Sequence, residues 1–212
     1  NDVIRVSRPD GTGDVTEALS LYGQKVAEIT KHLSGYVFCA KSPSCGMERV
    51  KVYSPEGDAL SSTGIGAFAK EIMAANPLLP CEENGRLNDS FIRENFVARI
   101  YAYKHWQTLE ASKLTIHKLT KFHSQYKYTV MSHDLIAYKK LGQLLARDDL
   151  PLEKKASAYI TGLMAALTIK ATRKKHANVL SIFRGILPKT YKQMNEMSYV
   201  NRYMPIEKGL CH

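Results

Sequence analysis

The sequence predicts an α/β unit, a partial and mainly parallel sheet with flanking helices, followed by an all-α helical domain. Three observations carry this. In residues 1–89, short apolar runs bounded by Gly, Pro and Ser alternate with stretches of helical spacing. From Ser90 the pattern changes to successive segments with apolar residues three and four apart, joined by short polar connections. Charge divides at the same place. Residues 1–90 carry 9 Lys and Arg against 12 Asp and Glu, net −3, whereas residues 91–190 carry 18 against 6, net +12.

The first element is a helix in GDVTEALSLYGQKVAEITKHL, capped by Asp14 or Thr16. Val15, Leu19, Tyr22, Val26, Ile29 and Leu33 form its expected apolar face, and Ser34-Gly35 stops it. YVFCA (36–40) reads as a short buried strand, which makes Cys39 a small core residue. After KSPSCG come the alternating strand RVKVY, the turn SPEGD, and a helix in STGIGAFAKEIMAAN carrying Ile65, Phe68, Ala69 and Ile72. Pro77 ends that helix, and PLLPCEE reads as a further strand. In such sheets ligands sit at loops leaving the carboxyl ends of strands, which is where KSPSCG falls.

The all-α domain, 90–212, opens with FIRENFVARIYAYKHWQTLE, its apolar positions being Phe91, Phe96, Val97, Ile100, Tyr103 and Trp106. Further helices are expected at about 115–126, 130–145, 152–167 and 172–187, with Pro151 at a first turn. The final stretch, PKTYKQMNEMSYVNRYMPIEKGLCH, has weak periodicity.

At 212 residues with 44% hydrophobic composition, the chain can bury a real core. No apolar run approaches the ~18 to 20 residues of a membrane span, and the opening Asn-Asp-Val-Ile-Arg-Val is not a signal peptide. That opening, without an initiator methionine, predicts a fragment or processed form. Cys39, Cys45, Cys81 and Cys211 are too scattered for a disulfide framework and form no CxxC. The expectation is a reduced, cytoplasmic protein.

The chemistry-bearing stretch is KSPSCG, Lys41 to Gly46. Pro43 and Gly46 allow a tight loop that aims backbone N–H groups and two hydroxyls at one point. Cys45 within it is open to three readings: a nucleophile activated by Lys41, a metal or cluster ligand, or an inert turn residue. TGIGAFA places Gly-x-Gly at a helix start, where close helix–sheet packing outweighs anion binding, and the dinucleotide fingerprint is incomplete. Glu82-Glu83, after a strand, could place a carboxylate near the same loops as Cys45, although an exposed acidic pair is more often simply solvated. In the basic half, Lys121, His123, Lys127 and His133 are interleaved with Phe122, Tyr126 and Tyr128, suiting phosphate contacts and base stacking. ATRKKHANVL adds Arg173, Lys174, Lys175 and His176 at a helix start. A solvated Lys-rich surface accounts for the same residues without a partner.

GDVTE, KSPSCGMERVKVY, GIGAFAKEI and PLLPCEENGRLND, in that order, resemble the carboxyl-terminal part of the thiouracil desulfidase (TudS) family. LTIHKLTKFHSQYKYTVMSH and RKKHANVL resemble the YbgA-type helical domain often fused behind it, and the resemblance runs from about Val6 to Leu180. It implies a tRNA 4-thiouridine desulfidase, whose helical domain holds the RNA and whose 4Fe–4S cluster is bound by three cysteines. Cys45 matches one ligand and Ser42 a serine that assists the chemistry. An under-coordinated iron is a soft acceptor for the thiocarbonyl sulfur.

The family's other two cluster cysteines have no counterpart here, so this chain is not expected to retain a cluster or to be active by itself. The aromatic-rich continuation of the helical domain also has no counterpart. The rival expectations are a non-catalytic RNA-binding or adaptor protein, and a cysteine-nucleophile enzyme using Cys45.

Overall fold

A computed structural model describes residues 4–8 and 10–186; the final stretch and Cys211 lie outside the described residues. Its order is α1 (Thr16–Thr30), β1 (Tyr36–Phe38), β2 (Val50–Tyr53), β3 (Ala59–Gly64), α2 (Ala67–Ala75), β4 (Cys81–Glu83), α3 (Ser90–Ala111), α4 (Ile116–His133), α5 (Leu135–Leu145), α6 (Leu152–Thr168) and α7 (Arg173–Ile186), with a 3₁₀ turn at Arg86–Asn88. The α/β-then-α organisation is therefore present. β1 pairs parallel with β4, Tyr36 opposite Cys81 and Phe38 opposite Glu83. β2 and β3 form a separate antiparallel hairpin, so only one of the two strand pairings is parallel.

Several expected details shift. α1 starts at Thr16 without a side-chain cap, although Asp14 Oδ1 accepts the Thr16 N–H at 2.9 Å. Its buried residues are Gly23, Ala27 and Thr30, while Tyr22, Ile29 and Leu33 are exposed. The reason is closeness to α2: a Cβ on Gly23 would lie 2.9 Å from Glu71 Cβ and 3.0 Å from the Phe68 carbonyl. Small residues let the two helices touch, and Tyr22 stacks over Phe68 at their edge, ring centroids 5.6 Å apart.

β1 ends at Phe38, and burial alternates along it, so Cys39 faces outward and is exposed rather than in the core. Strand β3 is formed by ALSSTG, so Ser62, Thr63 and Gly64, expected to open a helix, are extended instead. α2 then starts only at Ala67, burying Phe68, Ala69 and Ile72 but leaving Ile65 outside.

In the second half, α4 runs through to His133 and the break falls at Asp134, not before Val130. Asp134 Oδ1 accepts from the N–H groups of Ile136 and Ala137, which caps α5. α3 buries Phe96, Ala102 and Trp106, whereas Phe91 and Val97 are exposed. Two cores result. Ala27, Phe38, Phe68, Ala69, Ile72, Leu79 and Cys81 fill the first part, and Trp106, Leu119, Phe122, Tyr159, Leu163 and their neighbours fill the second. α3 joins them, with Tyr103 packed against both.

Candidate active-site loop and basic helical face

Because β1 and β4 are parallel, the loops after Phe38 and Glu83 leave the same edge of the pair. Asn84 ties them: its N–H donates to the Phe38 carbonyl at 3.0 Å, and its side-chain oxygen accepts from Ala40 N at 3.0 Å. The first loop carries Ser42, Ser44 and Cys45.

Its conformation follows from three anchors. Ser42 Oγ accepts the N–H groups of Ser44 and Cys45 at 3.3 and 3.2 Å, and Gly46 N–H donates to the Ser42 carbonyl at 2.7 Å. The loop also caps α2, since the Ser44 carbonyl accepts from Phe68 N and Ala69 N at 3.0 and 3.2 Å, and the Pro43 carbonyl from Ala67 N. The N–H groups at the Gly-x-Gly helix start are thus engaged by the loop. A Cβ on Gly66 would lie 2.4 Å from the Ser44 carbonyl, so the glycine is there for close packing.

The third anchor is Glu83, fully buried. One oxygen accepts from Met47 N and Glu48 N at 3.1 and 3.4 Å; the other pairs with Arg49 Nη2 at 3.0 Å. Glu82 is also buried, its Oε1 2.7 Å from Arg86 Nε. Of the two readings of this pair, the solvated one is overturned: both carboxylates are buried and met by arginines, and Glu83 holds the backbone just after Cys45.

Within the loop a polar chain forms. Ser42 Oγ is 3.0 Å from Ser44 Oγ, which is 3.3 Å from Cys45 Sγ. Since Ser42 Oγ accepts two backbone N–H groups, its proton is left to donate to Ser44, whose proton then faces the sulfur. The hydroxyl beside the thiol is thus Ser44, not Ser42. Ser44 was missed as a site residue although it adjoins Cys45 in the motif. Tyr36 and Cys45 pack against the same core cluster, and burial raises the Tyr36 phenol pKa.

A cluster held by three thiolates does not fit the described residues. Cys39 is exposed on the outward side of β1, and Cys81 is a core residue whose thiol burial pushes up to about 11. Among the described residues no group of three His, Cys, Asp or Glu side chains can hold a metal ion.

The predicted nucleic-acid residues separate by setting. Lys121, Arg173, Lys174 and His176 are exposed. His123 Nδ1 lies 3.1 Å from the Tyr159 hydroxyl, and burial lowers its pKa. His133 is buried and its Nδ1 lies 2.5 Å from the Ile169 carbonyl, so that nitrogen carries the proton. Lys175 Nζ donates to the His133 carbonyl, satisfying a free acceptor at the end of α4. Lys127 lies 4.9 Å from the Tyr128 ring centroid. Tyr128 meets Phe183 at 4.4 Å between centroids, which fixes α7 against α4.

Residues 2–84 match the family described as 2-thiouracil desulfurase, and residues 127–204 match a protein family of unknown function, DUF1722. The two matches occur in the order the sequence motifs imply. No curated protein and no solved structure matches the chain. Among the described residues, no helix is long and apolar enough to cross a membrane.

Proposed function

We propose that the chain is part of a thionucleobase desulfurase acting on 4-thiouridine in tRNA, with the Cys45 loop at the reacting sulfur and the basic helical part on the RNA. The observation that carries the reading is the thiol at the end of the Ser42–Ser44–Cys45 chain, inside the segment matched by the desulfurase family. The overall exchange replaces a C=S by C=O, consuming water and releasing hydrogen sulfide, so protons must move to the departing sulfur. The serine pair supplies a route for them, and Cys45 supplies one soft sulfur donor. Among the described residues no three side chains are grouped to hold a metal, so no cluster-bound step is assigned to them.

The test is anaerobic incubation of the full-length desulfurase that contains this chain with thiolated tRNA, with and without iron and sulfide, following loss of the thiocarbonyl absorbance. Turnover abolished by Cys45→Ala and lowered about 10²-fold by Ser44→Ala is the expected result. Turnover indifferent to Cys45→Ala would overturn the assignment. The lack of a three-donor group favours one second reading, a non-catalytic RNA-binding protein, which predicts salt-sensitive tRNA binding without sulfur loss under any condition.

A further inference from the structure

Among the described residues only two non-glycines have a positive φ, Lys41 at 61° and Arg49 at 57°. They bracket the segment that carries Ser42, Ser44 and Cys45. The left-handed region is costly for a residue with a Cβ, and such strain persists where the surroundings over-determine it. A glycine would adopt the Arg49 conformation freely, so an arginine there has its reason in the side chain.

That side chain completes a circuit of five charges. Arg49 Nη2 donates to Glu83 Oε2 at 3.0 Å, and its Nε lies 3.2 Å from Glu48 Oε1. The same Glu48 oxygen accepts from Arg86 Nη1 at 2.6 Å, and Arg86 Nε lies 2.7 Å from Glu82 Oε1. Signs alternate from Glu83 through Arg49, Glu48 and Arg86 to Glu82, and the circuit closes because Glu82 and Glu83 are neighbours on β4. Its two carboxylates on β4 are buried, whereas the Arg49 side chain is half exposed. Glu83 is the point where the circuit meets the loop, accepting from Met47 N and Glu48 N, the first N–H groups after Gly46. A buried carboxylate holds such a pose only while its charge is met.

We propose that Arg49 is a positioning residue for Cys45. By fixing Glu83 and Glu48 it holds the backbone that follows the cysteine, and so keeps the thiol beside Ser44 Oγ. Any catalytic consequence rests on the desulfurase reading; the placement of the thiol does not.

The experiment is thiol alkylation of the chain, followed peptide by peptide by mass spectrometry, with the exposed Cys39 as internal reference. Arg49→Ala should raise the Cys45 rate relative to Cys39 by about tenfold, the worth of a hydrogen bond to a charged group. Arg49→Lys, which keeps the charge but not the fork, should restore part of the difference. Arg49→Gly relieves the backbone and removes the guanidinium, and should behave like Arg49→Ala. Glu48→Gln, a mild change at a half-exposed link, should raise the ratio about threefold and decides the matter if Arg49→Ala does not fold. A ratio unchanged in Glu48→Gln and in any folded Arg49→Ala, or a ratio in Arg49→Gly equal to that of the unmodified chain, would overturn the role. In the full-length desulfurase the variants should lower kcat for thiolated tRNA in the same order. No turnover by the unmodified enzyme would count against the desulfurase reading alone, since the alkylation ratios stand apart from it.

Discussion

At the scale of single residues, the Cys45 loop is shaped by contacts that leave almost no freedom. Gly66 lies so close to the Ser44 carbonyl that an added methyl would sit 2.4 Å from it, displacing the backbone beside Cys45. Gly66→Ala is therefore expected to cost about 1–3 kcal/mol, the usual range for overpacking. It should also change thiol alkylation kinetics at Cys45, measured by mass spectrometry. Unchanged stability and kinetics would show that the contact can relax freely. Glu83→Gln tests the opposite face of the loop. It replaces a buried carboxylate that pairs with Arg49 and accepts from Met47 N and Glu48 N, so about 2 kcal/mol should be lost in a denaturant titration. The sequence showed the first of these devices and hid the second. Pro43 and Gly46 announce a shaped loop, but nothing local distinguishes Glu83 from a solvated acid, because its partners lie 34 to 36 residues away.

At the scale of elements, legibility followed how much each element depends on its own sequence. The long helices α3 to α7 were visible because they carry their own apolar periodicity, although the break between α4 and α5, capped by Asp134, lies later than the pattern suggested. β3 was missed because ALSSTG is polar and short, and becomes a strand by pairing with β2. The face of α1 was misread since Gly23 and Ala27, not the large residues, set its approach to α2. The join of α4 and α6 carries a testable consequence. His133 donates to the Ile169 carbonyl from a buried position, and burial, with the nearby His176 and Lys175 charges, lowers its pKa against the raising effect of that hydrogen bond. The folded state thus holds the proton less readily than the unfolded chain, whose histidine titrates near 6.5. Above about pH 6.5 both states are neutral at this group and stability is unaffected. As pH falls below that value the unfolded state gains a proton first, and stability declines until the folded pKa is reached. Thermal melts between about pH 7.5 and 5 should show this decline, with a slope no steeper than about 1.4 kcal/mol per pH unit from this group. His133→Asn should flatten it; a decline of equal slope in the variant would assign it to other groups.

At the scale of the molecule, the charge switch near residue 90 marked the change from α/β to helical structure, but it did not reveal that α3 belongs to both. Asn95 donates to the Leu167 carbonyl at 2.8 Å, Gln107 donates to the Leu33 carbonyl at 2.9 Å, and Ser34 donates to Gln107 at 3.0 Å. Phe96 and Ile100 meet Gly35 so closely that a Cβ there would lie 2.7 Å from Ile100. None of these partners is within reach of a local pattern, so a boundary drawn at the start of α3 separates residues that fold together. The two parts should accordingly unfold as one transition. Trp106, buried in the helical core, reports one side by fluorescence, and alkylation of the buried Cys81 reports the other. In guanidinium both signals should change at the same midpoint. Gly35→Leu forces a side chain into the Ile100 contact and pries α1 and β1 from α3, without touching the Trp106 core. It should move the Cys81 transition to lower denaturant and leave the Trp106 transition nearly in place. Two midpoints already separated in the unmodified chain would mean that α3 is a linker; coincident midpoints in Gly35→Leu would mean that the contact is not what couples the halves.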